Sequence, residues 1–167
     1  MSKQTLSIAN PYNQEQMKAI AIFESENDLE NSLTSQLQVI SSHYTKEEYE
    51  KKIREANEVE QYLLLIEDSK VIDYCLLDVY RDIKNCYLSL PSSKKVSRSR
   101  KMLLEASEYA SSLGMLEVFT TISSSDYALL EVIENDGYEN LGEENGITSF
   151  VRSFGKEGII DGNNKKY

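Results

Sequence analysis

YLLLIEDSKVIDYCLLDVYRDIKNCYLSL, residues 62–90, is the stretch of the chain that decides the fold. Asp68-Ser69 and Arg81-Asp82 divide it into three apolar or alternating runs, and such polar pairs are typical of turns. Side chains that alternate between apolar and polar indicate strands with one buried face. The stretch therefore predicts an antiparallel meander of three strands, over residues 62–67, 70–80 and 85–90.

The period changes downstream of this meander. SRKMLLEASEYASSLG, residues 99–114, carries apolar side chains at helical spacing and ends at Gly114, as helices commonly do. A buried strand is expected next over 116–122, followed by a helix that Asp126 caps. A final hairpin over 138–141 and 147–154 completes this half of the chain.

Upstream of the meander the pattern is mainly helical. A short strand over 6–9 stops at Asn10-Pro11, and helices are expected from Asn13, from about residue 29 and from Thr45. The last of these begins with a capping-box pattern. We therefore expect one mixed α/β (α+β) domain over residues 1–154, with residues 155–167 as a flexible tail.

Composition narrows the function. Eighteen lysine and arginine residues stand against 28 acids, for a formal net charge of −10, which disfavours nucleic acids and anionic lipids and favours cationic partners. No apolar run approaches the roughly 20 residues of a membrane span. The amino terminus lacks a secretory pattern, so we expect a cytoplasmic protein.

With His43 as the single histidine and no CxxC spacing around Cys75 and Cys86, no metal site is expected and both thiols should be free and buried.

One segment inverts the average charge. Between residues 94 and 101 there are five cations and no acid, where a strand leads into the start of a helix. Free N–H groups and the positive end of the helix dipole meet there, and small serines allow a phosphate to approach. The segment predicts a phosphate site. Its cations are Lys94, Lys95, Arg98, Arg100 and Lys101.

The stretch from Leu88 to Tyr138 resembles the central part of the GNAT superfamily of N-acetyltransferases. In that family a strand ending at proline precedes Arg/Gln-x-x-Gly-x-Gly/Ala, a helix ending near Leu-Gly, a strand, an asparagine and a helix ending at Gly-Phe. The corresponding residues here are Pro91, Lys94, Ser97, Ser99, Leu113-Gly114, Asp126 and Gly137-Tyr138.

The resemblance implies an α/β fold with a mixed, mostly antiparallel central sheet of about seven strands and about four helices. The implied order is one strand, two helices, three strands, a helix, a strand, a helix and two strands.

The resemblance also implies an activity, transfer of an acetyl or short acyl group from acetyl-coenzyme A to a primary amine by direct attack. Pantetheine would lie along Leu88, Ser89 and Leu90, where a backbone N–H would stabilise the developing oxyanion. The pyrophosphate would sit on the N–H groups of residues 96–100. The implied coenzyme-binding residues are Leu88, Ser89, Leu90, Lys94, Lys95, Val96, Ser97, Arg98, Ser99, Arg100 and Asp126.

The candidates for the general base are Glu117, Asp78 and Tyr87, on or near strands that approach the acyl group in this family. The acceptor is expected to be a small-molecule or peptide amine, and an acidic region over residues 24–60, with ten acids against four lysines and arginines, favours a cationic one. The protein would be a monomer or a homodimer.

Two departures from the family pattern leave alternatives open. Serines 97 and 99 replace the motif glycines, and Ile133 stands where the family often has a tyrosine that protonates the departing thiolate. Tyr127, water or another group would then take that role, or the thiolate would leave unassisted. A degenerate coenzyme-binding or protein-interaction module is the alternative to an active enzyme, and contact of the basic turn with an acidic protein or RNA is a third reading.

Overall fold

The structure, a computed structural model, describes residues 3–29, 33–90 and 96–154. Five α-helices and seven strands follow one another in this part of the chain, with a short 3-10 turn at Glu134–Asp136. The elements are β1 (Gln4–Ile8), α1 (Gln14–Glu26), α2 (Leu33–His43), α3 (Lys46–Glu55), β2 (Glu58–Glu67), β3 (Lys70–Tyr80), β4 (Asn85–Ser89), α4 (Val96–Ser112), β5 (Glu117–Ser123), α5 (Tyr127–Ile133), β6 (Glu139–Glu144) and β7 (Ile147–Ser153).

All seven strands form one sheet in the order β1-β2-β3-β4-β5-β7-β6. Every neighbouring pair is antiparallel except β4 with β5, which is parallel. The predicted meander and the mixed, mostly antiparallel sheet are confirmed. β3 has the predicted bounds, β2 begins four residues earlier than predicted, and the segment before it holds three helices. The local patterns predicted these three helices, and the helix total is one above the four or so that the resemblance implied.

Helices cover both faces of the sheet, and this explains the continuous apolar run in β2. Leu63 and Leu65 point to the face under α4 and α5, whereas Tyr62 and Leu64 point to the face under α1 and α2. A strand buried on both faces loses the alternation of a half-exposed strand and reads as unbroken apolar sequence. We call these the α4 face and the α1–α2 face. Opposite side chains of adjacent strands share a face, so the pairing register assigns every other residue.

The turn between β3 and β4 is tied to the end of α3. The Arg81 guanidinium donates hydrogen bonds to the carbonyl oxygens of Ile53 and Ala56. These are terminal carbonyls that have no partner within the helix. The turn that starts β4 is thereby held in place.

A buried carboxylate joins α1, α2 and β3. Glu24 of α1 accepts hydrogen bonds from the backbone N–H of Leu33 at 2.5 Å, the Thr34 hydroxyl at 2.7 Å and the Tyr74 hydroxyl at 3.0 Å. It thus caps the first turn of α2 from another helix, where N–H groups lack internal acceptors. Because α2 and Tyr74 both border the sheet beside β4, Glu24 sets the shape of that region.

We expect Glu24→Gln to lower the free energy of unfolding by about 1–3 kcal/mol, because the new amide group would face donors that now have an acceptor. Chemical denaturation measures the change. Glu26→Gln, at an exposed position of the same helix, is the matched control and should change stability by less than about 0.5 kcal/mol. Equal effects of the two substitutions would contradict the capping role.

Candidate functional site

The sheet opens between its two parallel strands. The β4–β5 ladder runs from Asn85 opposite Glu117 to Leu88 opposite Thr120 and stops there. Beyond it, Ser89 pairs with Leu76 of β3, and residues 121–123 pair with β7. The Thr120 hydroxyl donates to the Leu88 carbonyl at 2.8 Å, so a side chain closes the ladder.

This opening exposes one edge of β4. Past Leu88, none of the described strands pairs with the backbone groups of Ser89 and Leu90 that face β5. Such a row of main-chain donors and acceptors can bind an extended ligand as a further strand. The sequence placed the pantetheine contacts at Leu88, Ser89 and Leu90, and in the structure these three residues lie at the opening.

The start of α4 lies after the same end of β4. The first N–H groups of a helix have no internal acceptors, and the first turn of α4 contains no acid. Ser97 is exposed, Ser99 is buried and Arg98 is half-buried. Of the basic segment, Lys94 and Lys95 lie outside the described residues.

The remaining cations of that segment differ in their partners. Arg100 forms a two-pronged ion pair with Asp136, at 2.7 and 2.8 Å, and this hydrogen-bonded contact raises the pKa of the guanidinium. Lys101 lies 3.6 Å from Glu105. In the part of the chain that the structure describes, Arg98 alone of the three has no ion-pair partner. The Arg100 side chain therefore joins α4 to the turn after α5.

An unexpected carboxyl lies on the α4 face. Asp73 of β3 is 1% exposed; its Oδ1 accepts the Tyr74 N–H at 2.9 Å, and its Oδ2 has no hydrogen-bond partner among the described residues. Burial raises its pKa to about 6, against the opposing effects of the Tyr74 N–H and the Arg98 charge. Sequence reasoning missed Asp73, although it is in phase with Cys75 and Leu77.

Asp73 should make stability depend on pH. Its folded-state pKa lies above the ordinary value of 3.8, so the unfolded chain holds fewer protons between about pH 4 and pH 6. The free energy of unfolding consequently falls as the pH rises through this window. The free energy of unfolding of Asp73→Asn, taken relative to that of the wild type, should therefore rise by up to about 3 kcal/mol between pH 4 and pH 7. Chemical denaturation across this pH range measures the difference.

The control for this experiment is Glu139→Gln, which removes one negative charge from an exposed position on β6. A pH dependence that is the same in both variants would contradict the assignment to Asp73.

The three candidate bases lie together on the α1–α2 face. Tyr87 of β4 is opposite Asp78 of β3 on one side and Phe119 of β5 on the other, and its ring stacks on Phe119 with centroids 5.2 Å apart. Glu117 lies on the same face at the start of β5, opposite Asn85 and three residues before the opening. The structure therefore brings the candidates to one surface at different distances from the opening.

Asp78 has the geometry of a proton acceptor. Its Oδ2 accepts the Tyr80 hydroxyl at 3.1 Å, and its Oδ1 is buried without a hydrogen-bond partner among the described residues. This hydrogen bond, and to a smaller extent burial, raises the pKa of Tyr80 to about 12. The Tyr80 phenol therefore keeps its proton and remains a hydrogen-bond donor. The strand partner of Asp78 is Tyr87, two residues before Ser89, which places the carboxyl about 7 Å along the sheet from the opening.

Ile133 and Tyr127 of α5 have different surroundings in the structure, which the sequence alone did not show. Ile133 is buried in the core of the α4 face, so this position packs the fold. Tyr127, the first residue of α5, is 77% exposed and follows the end of β5 closely. Asp126 caps α5 through the Leu129 N–H at 3.2 Å. Tyr127 is thus the accessible hydroxyl of this helix.

The two cysteine thiols lie in the protein interior. Cys75 and Cys86 are free and buried as predicted, and burial raises both thiol pKa values, that of Cys86 to about 12. Across residues 3–29, 33–90 and 96–154, no cluster of histidine, cysteine or acidic side chains is arranged to hold a metal.

None of the described helices combines the length and the apolar character that crossing a lipid bilayer requires.

Comparison with solved structures identifies the fold. No protein-family model matches the sequence, and no curated protein matches it significantly. The PaiA N-acetyltransferase of Thermoplasma acidophilum, solved in complex with coenzyme A, superposes with a TM-score of 0.55 at 12% identity, over 91% of this chain and 99% of that one.

Two further N-acetyltransferases give similar agreement. A dodecameric spermidine N-acetyltransferase of Vibrio cholerae has a TM-score of 0.63 at 12% identity, over 92% of this chain and 95% of that one. The PseH N-acetyltransferase of Campylobacter jejuni has a TM-score of 0.54 at 16% identity, over 90% and 97%. The chain therefore has the GNAT fold that the resemblance implied.

Proposed function

We propose that this chain, which has the GNAT fold, transfers an acetyl or other short acyl group from acetyl-coenzyme A to a primary amine. The observation that carries the proposal is the opening of the sheet after Leu88 and Thr120, close to the start of α4, whose first turn carries no acid. An extended thioester ligand with a diphosphate needs a free strand edge and an anion site close to each other. The ladder end and the first turn of α4 support both parts of this proposal.

The coenzyme would be held by main-chain and cationic groups. Ser89 and Leu90 would bind the pantetheine arm, and the N–H groups at the start of α4 would bind the pyrophosphate, with Arg98 as its charged partner. Lys94 and Lys95 complete this proposed site. Bound acyl-coenzyme A would supply the thioester carbonyl that the amine attacks, and a β4 N–H near Leu88 to Leu90 would stabilise the developing oxyanion.

We assign the general base to Asp78. An ammonium group with a pKa near 10 is a poor nucleophile at neutral pH until it loses a proton. The unpartnered Oδ1 of Asp78 accepts that proton, directly or through a water molecule, while Tyr80 holds Oδ2 in place. The Tyr127 hydroxyl is the proposed donor to the departing thiolate, since Ile133 lies in the core.

The acceptor is proposed to be a cationic amine. An open recess of about 430 Å³ lies against Asp78, Tyr80, Ile83 and Tyr87 on the α1–α2 face. Glu60 is opposite Asp78 on the neighbouring strand. Acids attract a cation and aromatic rings stabilise it once bound. A small-molecule or peptide amine with a positive charge fits this surface best.

The proposed protein is a monomer or a homodimer. β6 is an edge strand that is exposed along its whole length. It carries Glu139, Glu143 and Glu144, and charges on an edge discourage strand pairing between copies. The monomer is therefore favoured at this edge.

Calorimetric titration with acetyl-coenzyme A tests the proposal first, followed by thiol release with a panel of cationic and neutral primary amines. We expect binding and amine-dependent release. Absence of binding at millimolar coenzyme would overturn the proposal. Normal binding without release from any amine would instead support a coenzyme-binding module, the second candidate, which the buried Ile133 favours.

Arg98→Ala should weaken coenzyme binding by about tenfold or more, and the loss should shrink as salt is added, because the contact is between charges. Titration calorimetry at two ionic strengths measures it. Lys101→Ala removes a cation that already has Glu105 as its partner and should change the affinity by less than about twofold. Equal losses in the two variants would show that the effect is one of overall charge.

Asp78→Asn should lower kcat at least a hundredfold with unchanged coenzyme affinity, because an amide cannot accept the proton. Glu117→Gln and Tyr87→Phe are the matched comparisons, since both side chains lie on the same face. Steady-state kinetics with calorimetry separates the cases. A comparable loss in Glu117→Gln and none in Asp78→Asn would move the base to Glu117.

A further inference from the structure

A cavity of about 190 Å³ adjoins the end of β4 on the α1–α2 face. Its walls come from three parts of the fold: Leu33 on α2, the side chains of β2 and β3, and the residues where β4 ends. The described residues that line it are Leu33, Tyr62, Tyr74, Leu76, Ser89 and Leu90, together with the polar Gln36 of α2.

The cavity walls are mainly apolar. Leu33, Tyr62 and Tyr74 are each less than a tenth exposed, and leucines form much of the remainder. The Tyr74 hydroxyl donates to Glu24 at 3.0 Å, and the Tyr62 hydroxyl lies 3.4 Å from Glu60. Both phenols are therefore engaged by acids. A mainly apolar wall of this kind favours the apolar part of a ligand, because contact removes apolar surface from water.

The volume exceeds what an acetyl group needs. A cavity of about 150 Å³ lined by apolar side chains accommodates benzene, which has six carbon atoms. An acetyl group has a single methyl group beyond its carbonyl carbon. If only acetyl entered, most of the 190 Å³ would be left without contacts.

The position of the cavity indicates its occupant. Ser89 and Leu90 line it, and the same two residues hold the pantetheine arm under the proposed function. Any group attached to the thioester carbon would therefore lie at the entrance of the cavity. Resting on that function, we propose that the cavity binds the acyl chain of a donor longer than acetyl-coenzyme A, with about four to six carbons.

Titration with free coenzyme A and with its acetyl, butyryl, hexanoyl and decanoyl thioesters, in the absence of an amine, tests this inference. Burial of each methylene should raise affinity by about fourfold, so hexanoyl-coenzyme A should bind on the order of a hundredfold more tightly than acetyl-coenzyme A. The gain should end before decanoyl, which is too long for the cavity.

Two outcomes of this titration would overturn different statements. If free coenzyme A and all thioesters fail to bind, the proposed function fails and this inference fails with it. If they bind with an affinity that does not depend on chain length, the inference alone is overturned, and the cavity is left to the apolar part of an acceptor or to neither substrate.

Substitutions at Leu76 connect the effect to the cavity. Leu76→Trp should abolish the gain for hexanoyl while leaving acetyl binding unchanged, whereas Leu76→Ala should move the preferred chain to a greater length. Val39→Trp introduces the same side chain on the exposed side of α2 and is the matched control. Thermal unfolding monitors folding, and if Leu76→Trp does not fold, the Leu76→Ala result decides.

A chain-length preference that is the same in the Leu76 variants and in the wild type would overturn the assignment to this cavity. The same conclusion would follow if Val39→Trp lost the preference to the same extent as Leu76→Trp.

Discussion

The parallel pairing of β4 with β5 is the interaction on which the arrangement of the site depends. Parallel strands need a crossover, and α4 supplies it across one face of the sheet. Both strands then end at the same edge, where the crossover helix also begins. Because the ladder stops at Leu88 and Thr120, that edge brings the end of β4 close to the first turn of α4, which carries no acid. Other pairs in this sheet are antiparallel, so their strand ends lie at opposite edges.

The crossover also divides the chemistry between two faces. The α4 face is closed, and the carboxyl of Asp73 lies within it with one oxygen unpartnered among the described residues, at a cost that burial imposes on its charged form. The α1–α2 face is closed over Tyr62 and Leu64 of β2 and over the start of β3, but it is open around Glu60, Asp78 and Tyr87. Glu24 holds the covering helices in place, because it joins α1 and α2 to Tyr74. A mainly apolar cavity beside Ser89 and an open recess beside Asp78 consequently lie on the same face.

The candidate site was only partly predictable. The sequence predicted a strand that ends near Leu90 and a helix soon after it, because strand and helix ends follow from local patterns, but α4 begins at Val96, three residues before the predicted helix. It treated five cations as one group, whereas Arg100 is engaged by Asp136, which is 36 residues away. It also ranked Glu117, Asp78 and Tyr87 without a basis for choosing. The unpartnered oxygen of Asp78 depends on packing between strands, which no local pattern records.

What the sequence determined by itself is the set of elements and their chemistry. The period of two over β3, the Asp126 cap and the Thr45–Glu48 capping box are each read within a few residues, since they depend on local backbone hydrogen bonds and alternation. Tertiary structure alone decided the ladder end at Leu88, the burial of Asp73 and Ile133, and the cavity beside Ser89. Each of these depends on residues far apart in the chain meeting in a dense interior, where their positions follow from packing and desolvation.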